Sequence, residues 1–150
     1  MSDVHNQLVI SERQTDRAIQ LFLDEADYYS SATLAGAAEE ILGCLLREKG
    51  SEPALDNMIS TVLRLLTAAE IDEITEARAK SPRAGIRVEL NLYRNWLKHY
   101  QPAEFELAID AKDAAAELID RAVMNFFQLT ERETAQMRRF LHWQQHRYSE

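Results

Sequence analysis

Arg94, Asn95 and His99 stand together in the string RNWLKH, and no other side chains in this sequence are better suited to chemistry on a charged substrate. An imidazole exchanges its proton near neutral pH, which makes His99 a candidate general acid or base. A guanidinium offers a fixed fork of donors, so Arg94 is a candidate for stabilising negative charge, and Asn95 for holding an anionic group or orienting the imidazole. Arg87, Asn91 and Lys98 precede or interleave with these three and are candidates for drawing in a polyanion. The stretch from Arg78 to His99 holds six basic residues (Arg78, Lys80, Arg83, Arg87, Arg94, Lys98) against the single acid Glu89. That is a local charge of +5 in a chain of net charge -8, leaving -13 on the remainder. Such overall acidity argues against a broad nucleic-acid surface, because neutralising phosphates needs clustered Lys and Arg. This segment is where they cluster.

The spacing predicts one helix from near Ala84 to no further than Gln101, since Pro102 disfavours helix in the residue before it. At about 100° per residue, Arg87, Lys98, Asn91, Asn95 and His99 fall within roughly 140° of Arg94. Ile86, Leu90, Leu92, Tyr93, Trp96, Leu97 and Tyr100 occupy the other arc, an apolar face that would bury against neighbouring helices. The polar arc contains no acid and places Asn at two interior positions. A merely solvated face would instead mix Glu with Lys and avoid a poor helix former.

The string Arg94-Asn95-Trp96-Leu97-Lys98-His99 resembles the R-x4-6-H motif of HEPN domains, in which a polar residue commonly follows the arginine. The upstream segment TLAGAAEEIL, Thr33 to Leu42, is similar to uncharacterised bacterial members of that superfamily, and the likeness extends over most of the chain from Ala18 to Trp143. The resemblance implies a homodimer in which two motif helices meet and form one metal-independent RNA-cleaving site, with no cofactor. Five residues separate Arg94 and His99 by about 7.5 Å along a helix axis and about 140° around it, so one helix does not easily aim both at one phosphate, whereas a two-fold partner brings each near its symmetry mate.

In that reading His99 transfers the proton as a ribose 2'-hydroxyl attacks the adjacent phosphate. Arg94 stabilises the phosphorane, Asn95 holds the phosphate or orients His99, and Arg87, Asn91 and Lys98 bind the RNA backbone. The product end is a 2',3'-cyclic phosphate. The resemblance further implies a toxin or defence effector, with an antitoxin or regulatory protein as a possible partner. Some HEPN toxins carry a tyrosine two residues after the histidine that a nucleotidyltransferase antitoxin modifies. Position 101 here is Gln, and Tyr100 comes one place early on the side expected to be buried, so that form of regulation is not expected. The alternative is a HEPN-like scaffold that binds a nucleotide, RNA or a protein without cleaving anything.

The elements that must position these residues follow from composition and periodicity. A chain of 150 residues, 46% hydrophobic and 28% charged, with four glycines and three prolines, is expected to form a single domain over 1–150. Its class is all-α, an up-and-down bundle of about five to six helices. Ser11 and Gln14 read as a capping box opening a helix through Ala26. A second helix follows the polar stretch ending at Ser31, runs to Lys49 and closes at Gly50; its Ala35, Gly36, Ala37, Ala38 and Gly43 give it a small-residue surface expected at the centre of the bundle. Pro53 leads into a third helix, with more helical sequence from Glu70 to Ala79, as one bent helix or two. Asp110 and a Thr130/Glu133 box are expected to cap two last helices, Ala111 to Gln128 and Glu131 to His146.

Other constellations carry less. Glu39 and Glu40 interrupt the apolar run of the second helix, and are expected to face solvent or pair with an arginine. The single Cys44 excludes an internal disulfide and a Cys-based zinc site, and its neighbours Ile41, Leu42, Leu45 and Leu46 suggest a small buried hydrophobe. His142 and His146 at i, i+4 can present a metal from one face, but HWQQH lacks the adjacent glutamate of the zinc-protease pattern and the only further ligand in view is Glu150, so an exposed helix end is the simpler reading. Met137, Phe140 and Trp143 read as core. No stretch approaches the roughly 20 apolar residues of a membrane span, and the amino terminus lacks a basic start and hydrophobic segment, so a soluble cytoplasmic chain is expected.

Overall fold

The computed structural model describes residues 4–78 and 81–147, and among these the chain is all-α. The described residues form eight α-helices, α1 (Gln7–Asp24), α2 (Tyr28–Glu48), α3 (Ala54–Leu65), α4 (Ala68–Arg78), α5 (Pro82–Leu90), α6 (Leu92–Lys98), α7 (Ala111–Thr130) and α8 (Ala135–His146), and the longer connection between α6 and α7 holds a 3-10 turn at Pro102–Glu104. That is more than the five to six expected, because two stretches anticipated as continuous or undecided are each divided. The third helix ends at Leu65, with Leu66 already extended, and α4 opens separately where Thr67 and Glu70 cap each other's backbone N–H groups. The motif helix is divided at Asn91.

The long helix α2 lies at the centre, packed along α1 and α7. Ala32, Ala35 and Ala38 are fully buried on it, and the larger Ile19, Leu42, Ile119 and Phe126 fill the space that small side chains leave between closely set helices. Phe22 of α1 and Phe140 and Trp143 of α8 close one side of this core with edge-on ring contacts. Met137 is buried beside them, as expected. A second, smaller core of Leu55, Ile59 and Ile86 holds α3 and α5 together. Gly85 admits α4, since a Cβ there would lie 2.6 Å from Ile74 Cγ2.

The termini of the helices correct three expectations. Asn6, not Ser11, caps α1 by accepting from Leu8 N at 2.8 Å; Ser11 is one turn inside, buried, and donates to the Gln7 carbonyl. Helix α7 continues through Thr130, and Thr134 rather than Thr130 caps α8 through Met137 N. In both cases a hydroxyl with an acid or amide three residues on lay close to a better-placed cap. Gly50 does close α2 in the left-handed region, at φ 74°, and Asp110 caps α7 through Asp113 N. Pro53 offers α3 no side-chain cap, and the buried Asn125 of α7 supplies one from a distance, accepting from Ala54 N at 2.8 Å.

Candidate functional site

Arg87 lies on α5, Asn91 at the junction, Arg94, Asn95 and Lys98 on α6 and His99 just past its end, and Arg121 of α7 sits against the junction. Asn91 is 4% exposed and has left the helical region, at φ -103° and ψ 4°. Arg121, in the middle of α7 and 1% exposed, donates from Nη2 to Asn91 Oδ1 at 3.2 Å and from Nη1 to the Leu90 carbonyl at 3.4 Å. Asparagine tolerates such a break because its short amide competes with the backbone ladder. Asn91 is therefore an internal partner of Arg121 and not part of a solvent-facing arc.

Arg94 points into the bundle as well. Its Nη1 donates to Glu39 Oε2 at 3.0 Å, with only 13% of the arginine side chain and 3% of the glutamate exposed. Arg121 Nη2 stands 3.9 Å from the same oxygen, so one buried carboxylate serves two guanidinia. The stem of Arg94 crosses α2 over Gly36, where a Cβ would come within 2.8 Å of Arg94 Cγ. Burial pushes the Arg121 guanidinium below its ordinary range, and Glu39 opposes that shift. Behind it, burial pushes the Glu117 carboxyl up.

The remaining basic residues of the arc are matched in the same way. Lys98 reaches Glu40 at 2.6 Å, and Arg87 and Arg47 both bind Asp56 of α3. Burial raises the Asp56 carboxyl, but the two arginine hydrogen bonds outweigh it and hold the group below the ordinary carboxylate range. A hydrogen bond from Lys98 likewise lowers Glu40. The acids missing from the motif helix are thus supplied by α2 and α3, and Glu39 and Glu40 take the arginine- or lysine-paired alternative. The side chain of Arg78 and all of Lys80, counted in the basic island, lie outside the described residues.

His99 lies at the outer edge of this network, near enough to Glu40 to interact with its charge but exposed. Helix α6 ends at Lys98; His99 is its C-cap, extended at φ -129° and ψ 130°, with its N–H on the Asn95 carbonyl and its side chain exposed. Asn95, His99, Tyr100, Gln101, Pro102 and Ala103 line one open surface, and a hollow of about 130 Å³ beside it is edged by Trp96, His99, Tyr100 and Phe105. Tyr100 is 81% exposed, against the expectation of burial, because the chain has left the helix before reaching it. The structure brings Arg94, Asn91 and Arg87 to one side of α5 and α6 and leaves Asn95 and His99 at the free end.

Sequence reasoning missed Arg121, Arg47, Asp56 and the inward turn of Glu39. The signal for Arg121 was present: it sits one turn after Leu118 and one before Asn125, on the stripe of α7 that faces α2. Cys44 is exposed rather than buried, since Leu42 and Leu46 take the core-facing positions and two residues on from Leu42 is about 200° around the helix. It borders a cleft of about 160 Å³ lined also by Glu39, Glu40, Gly43, Arg47, Leu55, Arg87, Asn91 and Arg94. Gly43 is not demanded by packing, because a Cβ there would make only ordinary contact, 3.6 Å from Pro53.

The rings of His142 and His146 stack at 4.2 Å on the exposed end of α8, and His146 Nδ1 lies 2.7 Å from the His142 carbonyl. Among the described residues no three His, Cys, Asp or Glu side chains are grouped to hold a metal, and Glu150 lies outside them. Nor, among them, is any helix long and apolar enough to cross a membrane. No family model, curated protein or solved structure matches the chain.

Proposed function

We propose that the chain is a HEPN-type RNA-directed protein that works as a homodimer, cleaving RNA without a metal at a site shared by two copies of α6. The observation that carries this reading is the division of labour along α6. Arg94 is fixed by the buried Glu39 in one orientation, while His99 is exposed at the end of the helix with Asn95 one turn before it. A pre-oriented guanidinium stabilises developing charge without reorganising, and an exposed imidazole is open to a substrate proton. Within one protomer the two groups diverge, so this reading calls on a second copy to bring its His99 to the cleft that Arg94 lines. Attack of a 2'-hydroxyl on the adjacent phosphate would leave a 2',3'-cyclic end, and a toxin or defence role with a protein regulator belongs to the same proposal.

The test is cleavage of single-stranded RNA in EDTA, with the mass of the particle measured by light scattering. The wild type is expected to cut as a dimer and His99→Ala to lose at least 100-fold of the rate, as removal of a general acid or base does. Equal rates in the two proteins would end the nuclease reading. A second reading, a scaffold that binds without cleaving, is favoured by one observation: Glu39 already occupies Arg94, and Asp56 and Glu40 occupy Arg87 and Lys98. RNA affinity with no turnover in wild type or variant would select it.

A further inference from the structure

The cleft between α2, α3 and the α5–α6 junction has a charge pattern that the pairing of the motif residues does not exhaust. Arg47 from α2, Arg87 from α5 and Arg94 from α6 all line it. Asp56 faces two of these guanidinia and takes one N–H from each, Nε of Arg47 at 3.0 Å and Nη2 of Arg87. Each guanidinium carries five donors, so a single carboxylate leaves most of both forks uncommitted to it. The same two-to-one ratio recurs at Glu39, between Arg94 and Arg121. Glu40 also lines the cleft, but it is matched by Lys98. The charged residues that line the cleft are Arg47, Arg87 and Arg94 against Glu39 and Glu40, one more positive than negative, in a chain whose net charge is -8.

We infer that this cleft is a binding site for a phosphate group, held by the side-by-side forks of Arg47 and Arg87. Arg47 and Arg87 are both 40% or more exposed, so their forks are reachable from solvent, and Asp56, 14% exposed, fixes their orientation from behind. Planar forks held in place recognise tetrahedral oxyanions through paired N–H donors, and the restraint lowers the entropy lost on binding. The volume, about 160 Å³, is well below the ~300–1,000 Å³ of pockets that enclose whole drug-sized ligands, so the cleft takes the phosphate and leaves the rest of the ligand outside. Gly43 lines the same cleft without a packing need for glycine, which keeps its wall low. The group bound is a phosphate ester or diphosphate; its source is either a small phosphorylated molecule or the backbone of RNA. This site does not depend on cleavage at His99, which lies outside the cleft.

The experiment is calorimetric titration of the full chain with pyrophosphate, against sodium chloride of equal ionic strength, followed by titration with adenosine monophosphate and an eight-nucleotide single-stranded RNA. Pyrophosphate is expected to bind the wild type and to bind Arg47→Gln and Arg87→Gln at least tenfold more weakly, with Arg47→Lys intermediate because it keeps the charge but loses the fork. Circular dichroism establishes that each variant is folded. RNA binding that pyrophosphate displaces assigns the backbone as source; binding of adenosine monophosphate alone assigns a small ligand; either supports the site. No pyrophosphate binding above the chloride control, or equal binding in both glutamine variants and the wild type, overturns it. His99→Ala is expected to bind pyrophosphate as the wild type does, so loss of cleavage with retained binding separates this site from the nuclease reading.

Discussion

A Cβ added at Gly36 would lie 2.8 Å from Arg94 Cγ, closer than real Cβ contacts come, so the arginine crosses α2 only because that position has no side chain. Gly36 and Arg94 are 58 positions apart in the sequence but behave as a matched pair.

Gly36→Ala is therefore expected to destabilise the fold by about 1–2 kcal/mol in urea denaturation. The crowding of a buried stem, of the order of 1–3 kcal/mol, outweighs the gain of up to about 1 kcal/mol from replacing a helical glycine by alanine. Gly43→Ala meets only ordinary contacts and should be neutral or stabilising by up to about 1 kcal/mol. Equal effects at the two glycines would contradict the close approach of Arg94.

Glu39 carries the charge balance of the interior, since both Arg94 and Arg121 depend on it. Glu39→Ala should cost roughly 3–5 kcal/mol, the range for leaving a buried partner uncompensated. Adding Arg121→Met to that variant should recover part of the loss by removing the stranded cation, and thermal unfolding of the single and double variants measures it. A double variant less stable than the single one would show that Glu39 is not what neutralises Arg121.

Asp56 makes stability depend on pH in a fixed direction. Its folded carboxyl titrates below the ordinary range, so the folded state binds that proton less readily than the unfolded chain. The contribution is complete above the unfolded value of about 3.9 and is lost as pH falls through the folded value. Asp56→Asn should be less stable than the wild type by about 1–3 kcal/mol at pH 7, with the gap closing below about pH 4. A gap independent of pH over that window would remove the charge from the explanation.

The placement of Cys44 is open to direct chemistry. An exposed thiol should react with Ellman's reagent in the native protein without denaturant, at a rate within about tenfold of the unfolded chain, whereas a core thiol would wait for unfolding.

The fold class was legible because helical periodicity is local: the α2 stretch, its Gly50 stop and the Asp110 cap are written in adjacent residues. Caps were less so, because Ser11 and Thr130 have the right chemistry a few residues from where Asn6 and Thr134 do the work. The motif was legible as a string but not as a geometry. What divides it is Arg121, 30 positions away from Asn91, and what neutralises it are Glu39, Glu40 and Asp56 from other helices. A wheel drawn for one segment contains none of these partners, so the lack of acids on that segment resembled an unmet charge.

The break at Asn91 also bears on how the molecule answers its surroundings. Beyond that residue, the seven-residue α6 is fastened to the main core by Tyr93, Trp96 and Leu97 and to α2 by two ionic ties, Arg94 to Glu39 inside and Lys98 to Glu40 outside. The outer tie is weakened by dissolved salt and the inner one is shielded from it. Added salt therefore loosens the hold on the histidine end at its outer tie first and leaves the inner one in place.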